Sequence, residues 1–139
     1  MNHVLLILHF VGLILGTSVS VGSIVMAGLI GRATPEERPV LGRFMPAISK
    51  VGRAGLLLLW VTGFTMAYTK WSGIASMPPT FHVKLTAVVL LTLVVGYIAV
   101  LECRVAAGDR AAAARIQVYG RLAAVLVLTI ITFAVLTFD

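Results

Sequence analysis

The sequence predicts an all-α protein, an integral membrane four-helix bundle. Hydrophobic residues make up 60% of the 139 residues and charged residues only 12%, whereas a soluble domain averages about 25% charged residues. The apolar residues fall into four runs, at residues 4–30, 47–68, 80–101 and 120–138. A spanning helix needs about 20 mainly apolar residues, so each run qualifies. We therefore expect one transmembrane domain, residues 1–139, with little mass outside the lipid bilayer.

The first run is long enough to need a separate explanation. At 27 residues it would extend about 40 Å as a helix, so it must tilt or protrude from the bilayer. It lacks the basic segment of a secretory signal peptide and is longer than the apolar core of one. We interpret it as a retained helix.

The basic residues predict the orientation. Nine of the eleven Lys and Arg residues lie in segments 31–53 and 104–121, and only Lys70 and Lys84 fall on the other side. The positive-inside rule then places both basic segments in the cytoplasm and both termini outside, in the periplasm, for a bacterial-type inner (plasma) membrane. Tyr68 and Trp71 fit the aromatic belt at the outer boundary. This one-sided placement explains the net charge of +6 better than nucleic-acid binding does.

The connections between the helices differ in composition. Residues 31–39 contain two prolines and are typical of a short loop. Residues 106–115 are rich in alanine, so we expect them to extend helix 3 or helix 4 beyond the membrane.

Helix 1 carries small residues on one face, with a histidine at its outer end. Residues three or four apart share a face of a helix. Small residues in such a series let another backbone, or the edge of a flat ligand, approach closely. Both interpretations, helix packing and cofactor contact, stay open. The residues of this face are His9, Gly12, Gly16, Ser20, Ser23 and Ala27.

Three candidate metal ligands are expected in the outer third of the bundle, namely His9, Met66 and His82. Histidines on different helices of a four-helix bundle are a recurrent way of holding haem, and methionine is an alternative axial ligand. Lys84 is a candidate partner for haem propionates. It points away from His82, because two positions rotate a helix by about 200°. A copper site built from histidine and methionine is one alternative to haem. In the other alternative neither histidine binds a metal, and each side chain reaches out of the lipid to water.

Two short segments resemble a known family. They are Leu6-Ile7-Leu8-His9-Phe10-Val11 and Phe81-His82-Val83-Lys84-Leu85, which are similar to the first-helix and third-helix openings of HemJ-type protoporphyrinogen IX oxidases and their CopD-like relatives. The connector Phe44-Met45-Pro46 and Gly63 also fit that layout. The resemblance implies a bundle that binds haem b, with His9 matching the family's first-helix histidine, and it extends to His82 and Lys84.

The chain departs from that family at other positions. Ser18–Ile24 stands where HemJ-type enzymes have a tryptophan and an aromatic-x-Pro-Arg segment. Helix 4 begins Tyr119-Gly-Arg-Leu instead of Asn-Glu-x-Pro, and the chain finishes Thr137-Phe-Asp instead of Lys-Pro. These departures fall on positions linked to porphyrinogen oxidation rather than to haem binding.

The leading interpretation is a haem-b protein that passes electrons between a membrane donor, quinol or porphyrinogen, and a partner. His9 is one axial ligand, with His82 or Met66 as the second. One alternative is a non-catalytic accessory subunit of a larger membrane complex. The other is a CopD-like copper-handling protein. Glycine on several helix faces favours a homo-oligomer or a larger complex. Because no nucleotide-binding or hydrolase motif is present, ATP-driven or hydrolytic chemistry is not expected.

Overall fold

The computed structural model describes residues 3–70 and 79–136 and is all-α, as the sequence predicts. The helices are α1 (His3–Arg32), α2 (Arg38–Lys70), α3 (Pro79–Ala106) and α4 (Arg110–Leu136). Each helix is long and apolar enough to cross a membrane. Trp71, assigned above to the aromatic belt, lies outside the described residues, as do the last two residues of the predicted helix 4.

The helices are longer than the apolar runs that predicted them. α2 begins at Arg38 instead of residue 47, and α4 begins at Arg110 instead of residue 120. Pro46 lies inside α2, so the expectation of a connector at residues 44–46 is wrong. Hydropathy marks the length of helix that lipid can cover, whereas the helices continue into polar sequence that water can solvate. The alanine-rich segment does extend α4, as expected.

Short polar turns close the two connections. The backbone N–H of Thr34 donates to Glu37 Oε2 at 3.0 Å just before α2. Between α3 and α4, Gly108 takes a φ of +99°, a left-handed conformation that glycine adopts without strain. Asp109 then caps α4, because its Oδ1 accepts the backbone N–H of Ala111 at 3.0 Å. We call this end of the bundle, with residues 33–37 and 107–109, the connector end, and the opposite end the terminal end.

The bundle consists of two helical hairpins. α1 packs extensively on α2 and α3 on α4, α1 and α4 also pack together, and α2 contacts α3 only sparsely. A cluster of buried side chains joins the hairpins: Leu56, Ala87, Leu91, Ala123, Val127 and Ile130. The outer surface is apolar on all four helices, with Ile14, Leu57, Leu93 and Leu128 each more than 60% exposed. Such a surface suits contact with lipid.

Glycines set the closest approach of α1 to α2. A Cβ on Gly55 would lie 2.9 Å from Leu15 Cβ and 3.0 Å from the carbonyl oxygen of Gly12. A Cβ on Gly12 would in turn lie 3.0 Å from the carbonyl oxygen of Gly55. The small-residue face of α1 therefore serves helix packing at Gly12.

Candidate functional site

An elongated cavity lies between the two hairpins. It encloses about 560 Å³, within the roughly 300–1,000 Å³ usual for small-molecule sites. Its lining on α1 extends from Leu6 to Gly28, a length of about 33 Å at 1.5 Å rise per residue. The cavity exists because α2 and α3 contact each other so little. It is therefore mainly apolar and runs through most of the depth of the bundle.

Side chains bridge the gap between α2 and α3. Trp60 Nε1–H donates to Thr92 Oγ1 at 2.8 Å, and the Thr92 hydroxyl donates to the carbonyl oxygen of Val88 at 2.8 Å. The Trp60 ring stacks on Phe64 with 4.9 Å between the ring centroids, and both rings line the cavity. The middle of the cavity thus has an aromatic wall, held in place by one hydrogen bond.

His9 lies on this cavity, toward the terminal end, and is hydrogen-bonded across α1 and α2. Its Nδ1 lies 2.9 Å from Thr62 Oγ1. Thr62 is 1% exposed, and its hydroxyl also lies 2.7 Å from the carbonyl oxygen of Leu58. The ring sits against glycine, since a Cβ on Gly63 would lie 3.6 Å from His9 Cε1. The imidazole is thus anchored on one side only.

This geometry assigns the tautomer of His9. A threonine hydroxyl has one proton, and the Thr62 hydroxyl donates it to the carbonyl of Leu58, four residues earlier in α2. Thr62 Oγ1 then accepts from His9 Nδ1–H, and in the neutral ring Nε2 is the unprotonated nitrogen. Within the described residues Nε2 has no hydrogen-bond partner, and no fully buried side-chain nitrogen or oxygen lacks one. Nε2 therefore keeps accessible surface and a free lone pair on the cavity side.

Lys84 and Met66 line the same half of the cavity as His9. Met66 lies one helical turn beyond Thr62 on α2 and is partly buried. Lys84 is also partly buried, and no carboxylate lies within ion-pair distance of it in the described ranges 3–70 and 79–136. This half of the cavity thus presents an imidazole nitrogen, a thioether and an unpaired ammonium against apolar walls.

His82 does not join this group. Its side chain is exposed, and it is absent from the described cavity lining, whereas Lys84 is present. The buried residues Ala87 and Leu91 define the inner face of α3, and Lys84 shares that face because it lies three and seven positions before them. His82 is then about 200° away from Lys84. The expectation that His82 lies in the bundle beside His9 is corrected accordingly.

The two glycines predicted to contact a cofactor have different surroundings. Gly12 is buried against α2 and does not appear in the described cavity lining. Gly16 lines the cavity, and a Cβ built on it meets no atom within 4 Å. Only Gly16 therefore leaves room for a ligand edge, although its backbone also packs on Gly55.

A charged cluster lines the cavity toward the connector end. Arg53 Nη2 lies 3.5 Å from Glu102 Oε2, with side chains 37% and 18% exposed. This ion pair is the second side-chain bridge between α2 and α3. Arg121 and Gln117 from α4 line the same region.

Sequence reasoning missed two residues of this site. Neither Thr62 nor Trp60 is among the candidate residues predicted from the sequence. The signal for Thr62 was its place next to Gly63 and four residues from Leu58 on a face that also carries Gly55. Since Thr65 and Thr69 make similar bonds to their own helix, the pattern of threonines alone does not single out Thr62.

No family model matches the chain, and neither the curated proteins nor the solved structures contain a significant match. In the part of the chain that the structure describes, no three His, Cys, Asp or Glu side chains come together as a metal site. The cavity and the donors that line it are therefore the features that bear on function.

Proposed function

We propose that this chain is an integral membrane protein that binds haem b in the cavity, with His9 Nε2 as an axial ligand. The observation that carries the proposal is the 2.9 Å contact between His9 Nδ1 and Thr62 Oγ1, in which we assign the imidazole as the donor. A histidine that ligates a metal normally donates its other ring N–H to a fixed acceptor, which sets the tautomer and the ring orientation. His9 has this arrangement, with its free nitrogen on an apolar cavity.

The other residues around His9 fit the same group. Haem needs apolar walls and few protein ligands, because its own ring supplies four nitrogens. Trp60 and Phe64 supply aromatic walls, and Gly16 leaves space for the edge of a macrocycle. Lys84 is the unpaired cation that haem carboxylates would require, and Met66 is the candidate second ligand in place of His82.

When bound, haem b supplies one-electron redox chemistry. The chain's own contribution is to hold the imidazole neutral and oriented, to exclude water with the Trp60–Phe64 wall, and to neutralise carboxylates with Lys84. We propose quinol or a porphyrinogen as the electron donor, because both dissolve in the bilayer that surrounds the bundle. A homo-oligomer or a larger membrane complex is the proposed setting for the electron acceptor.

The donor set favours haem over copper. Protein copper sites are built from several side chains, such as two histidines with a cysteine and a weak methionine. The described lining near His9 offers one imidazole and one thioether. Two such donors suffice for an iron that already has four nitrogen ligands, but they leave a copper ion short of ligands.

We also propose that the connector end faces the cytoplasm. The basic residues concentrate on the segments at that end, which supports the positive-inside assignment. Both termini, His9 and Lys84 then lie toward the periplasm. Reporter fusions at either terminus test this, since a cytoplasmic signal from a fusion after Asp139 would overturn the orientation.

The test of the function is a reduced-minus-oxidised spectrum of the purified protein and its variants, normalised to protein. We expect Soret, α and β bands in the wild type, and their loss in His9→Ala with normal membrane insertion. Met66→Ala should shift the spectrum from low spin to high spin if Met66 is the second ligand.

His82→Ala and His3→Ala are the matched controls, because both side chains are exposed. Both should keep the wild-type haem content. Full haem occupancy in His9→Ala would refute the ligand assignment. A colourless wild-type protein without metal would favour the accessory-subunit alternative, and stoichiometric copper would favour the CopD-like one.

A further inference from the structure

The connector-end half of the cavity differs in chemistry from the half that holds His9. Arg53, Glu102 and Arg121 line it together with Gln117 and Ser49. Glu102 pairs with Arg53, and no carboxylate lies within ion-pair distance of Arg121 among residues 3–70 and 79–136. This half of the cavity therefore carries one surplus positive charge.

Arg121 lies nearer the terminal end of the bundle than the Arg53–Glu102 pair. The rings of Tyr97 and Tyr119 are in contact, with 4.8 Å between their centroids. Because α3 and α4 are antiparallel, residue 121 lies two positions further toward the terminal end, level with Val95. Glu102 lies seven residues nearer the connector end than Val95, about 10 Å along the helix axis. Arg121 is exposed and has no carboxylate within ion-pair distance among residues 3–70 and 79–136, so its guanidinium is open to an anionic group.

The direction of the side chain brings the guanidinium to the cavity's polar end. Side chains on a helix tilt toward its N-terminus, and α4 has its N-terminus at the connector end. The Arg121 side chain therefore extends from the level of Val95 toward Gln117 and the Arg53–Glu102 pair. Beyond Arg121 the cavity continues past the Trp60–Phe64 wall. One end is thus cationic and polar, and the adjoining length is apolar.

We propose that Arg121 anchors the headgroup of an anionic amphiphile, a long apolar chain with a terminal carboxylate or phosphate, and that the chain lies in the cavity alongside Trp60. Charge complementarity identifies this ligand class. The anion satisfies the surplus guanidinium by charge-assisted hydrogen bonds, and the chain fills apolar space. The sparse α2–α3 contact gives such a molecule a lateral route from the bilayer.

The test uses Trp60 as the reporter. In a full-length Trp71→Phe background, Trp60 is the sole tryptophan, and bromine quenches tryptophan fluorescence at short range. The probe is an eighteen-carbon fatty acid brominated in the headgroup-proximal half of its chain. We expect saturable quenching, with a half-saturating concentration about tenfold lower than that of the uncharged methyl ester of the same chain.

Substitutions of Arg121 distinguish binding of the probe at this site from partition of the probe into the detergent micelle. Arg121→Gln should raise the half-saturating concentration of the acid about tenfold and leave that of the ester unchanged. Arg121→Lys should stay within a fewfold of the wild type. Arg104→Gln is the matched control, because Arg104 lies at the same end and does not line the described cavity. Circular dichroism and size-exclusion profiles confirm that each variant is folded.

An alkyl phosphate with the same brominated chain distinguishes the two headgroups, and the tighter of the two anions identifies the ligand. Equal half-saturation for acid and ester, or equal effects of Arg121→Gln and Arg104→Gln, would refute the site and leave Arg121 as a contact to bilayer headgroups. Repeating the titration in His9→Ala, which is expected to lack haem, keeps the result separate from haem binding, because bound haem would itself quench the fluorescence of Trp60.

Discussion

The contact between Gly12 and Gly55 predicts the most damaging small substitution in the bundle. In Gly55→Ala the new methyl group would lie 2.9 Å from Leu15 Cβ, 3.0 Å from the Gly12 carbonyl oxygen and 3.1 Å from Gly16 N. Carbon atoms pack best about 3.5–4.0 Å apart. Two of the three neighbours are backbone atoms, so relief requires α1 and α2 to separate by several tenths of an ångström.

The expected size of the effect follows from two opposing terms. Overpacking of this kind costs about 1–3 kcal/mol. Replacing glycine by alanine within a helix stabilises the helix by about 1 kcal/mol. Gly96→Ala isolates the second term, because a Cβ on Gly96 meets nothing within 4 Å. The difference in unfolding free energy between the two variants should therefore be about 1–3 kcal/mol, with Gly55→Ala the less stable.

The assay is reversible unfolding in mixed micelles, titrated with a denaturing detergent and followed by tryptophan fluorescence. Gly96→Ala should unfold at the wild-type midpoint or slightly above it, and Gly55→Ala clearly below the midpoint of Gly96→Ala. Equal midpoints for the two variants would show that α1 and α2 do not approach at Gly55, and would undermine the placement of His9 against Thr62.

Three further substitutions test the cavity. Thr62→Val should lower haem affinity about 10–100-fold, the usual effect of losing a partner that orients a metal ligand, whereas Thr62→Ser should retain it; a haem titration measures both. Gly16→Leu should reduce haem content without unfolding the protein, because the leucine side chain would enter the open cavity. Gly22→Leu is the control and should bind haem normally, because Gly22 lies outside the described lining. Trp60→Phe keeps an aromatic wall but loses the hydrogen bond to Thr92. The free energy of unfolding should therefore fall by only about 0.6 kcal/mol, the average for such bonds in membranes. A loss above about 2 kcal/mol would mean that this hydrogen bond holds the two hairpins together.

The sequence predicted the class of fold and the inward face of α1 because their signals are unambiguous. Four apolar runs leave no other architecture, and glycine on α1 marks where a neighbour approaches, as Gly12 does. The helix ends were predicted less well, because hydropathy falls at the edge of the lipid whereas the helix continues beyond that edge. Arg38 and Arg110 begin their helices in polar sequence for this reason.

The orientation of α3 could not be predicted from its sequence. In a soluble bundle the polar face reveals the core-facing side, but α3 is apolar all round because lipid replaces water outside. The sequence analysis placed His82 inside the bundle with Lys84 pointing away from it, whereas the packing of Ala87 and Leu91 puts Lys84 on the inner face. The same reasoning applies to Thr62, whose partner on another helix is set by the register of α1 against α2.

The two-hairpin arrangement also bears on biogenesis. Most packing joins helices that follow each other along the chain, so α1 and α2 can associate in the membrane while the ribosome is still translating α3. Low sequence separation between contacting helices favours rapid assembly. A gene divided between codons 70 and 79 would therefore encode two separately inserting fragments. Their reassociation would depend on the buried cluster around Leu56 and Val127, while the weak α2–α3 seam would remain the place where the finished protein opens.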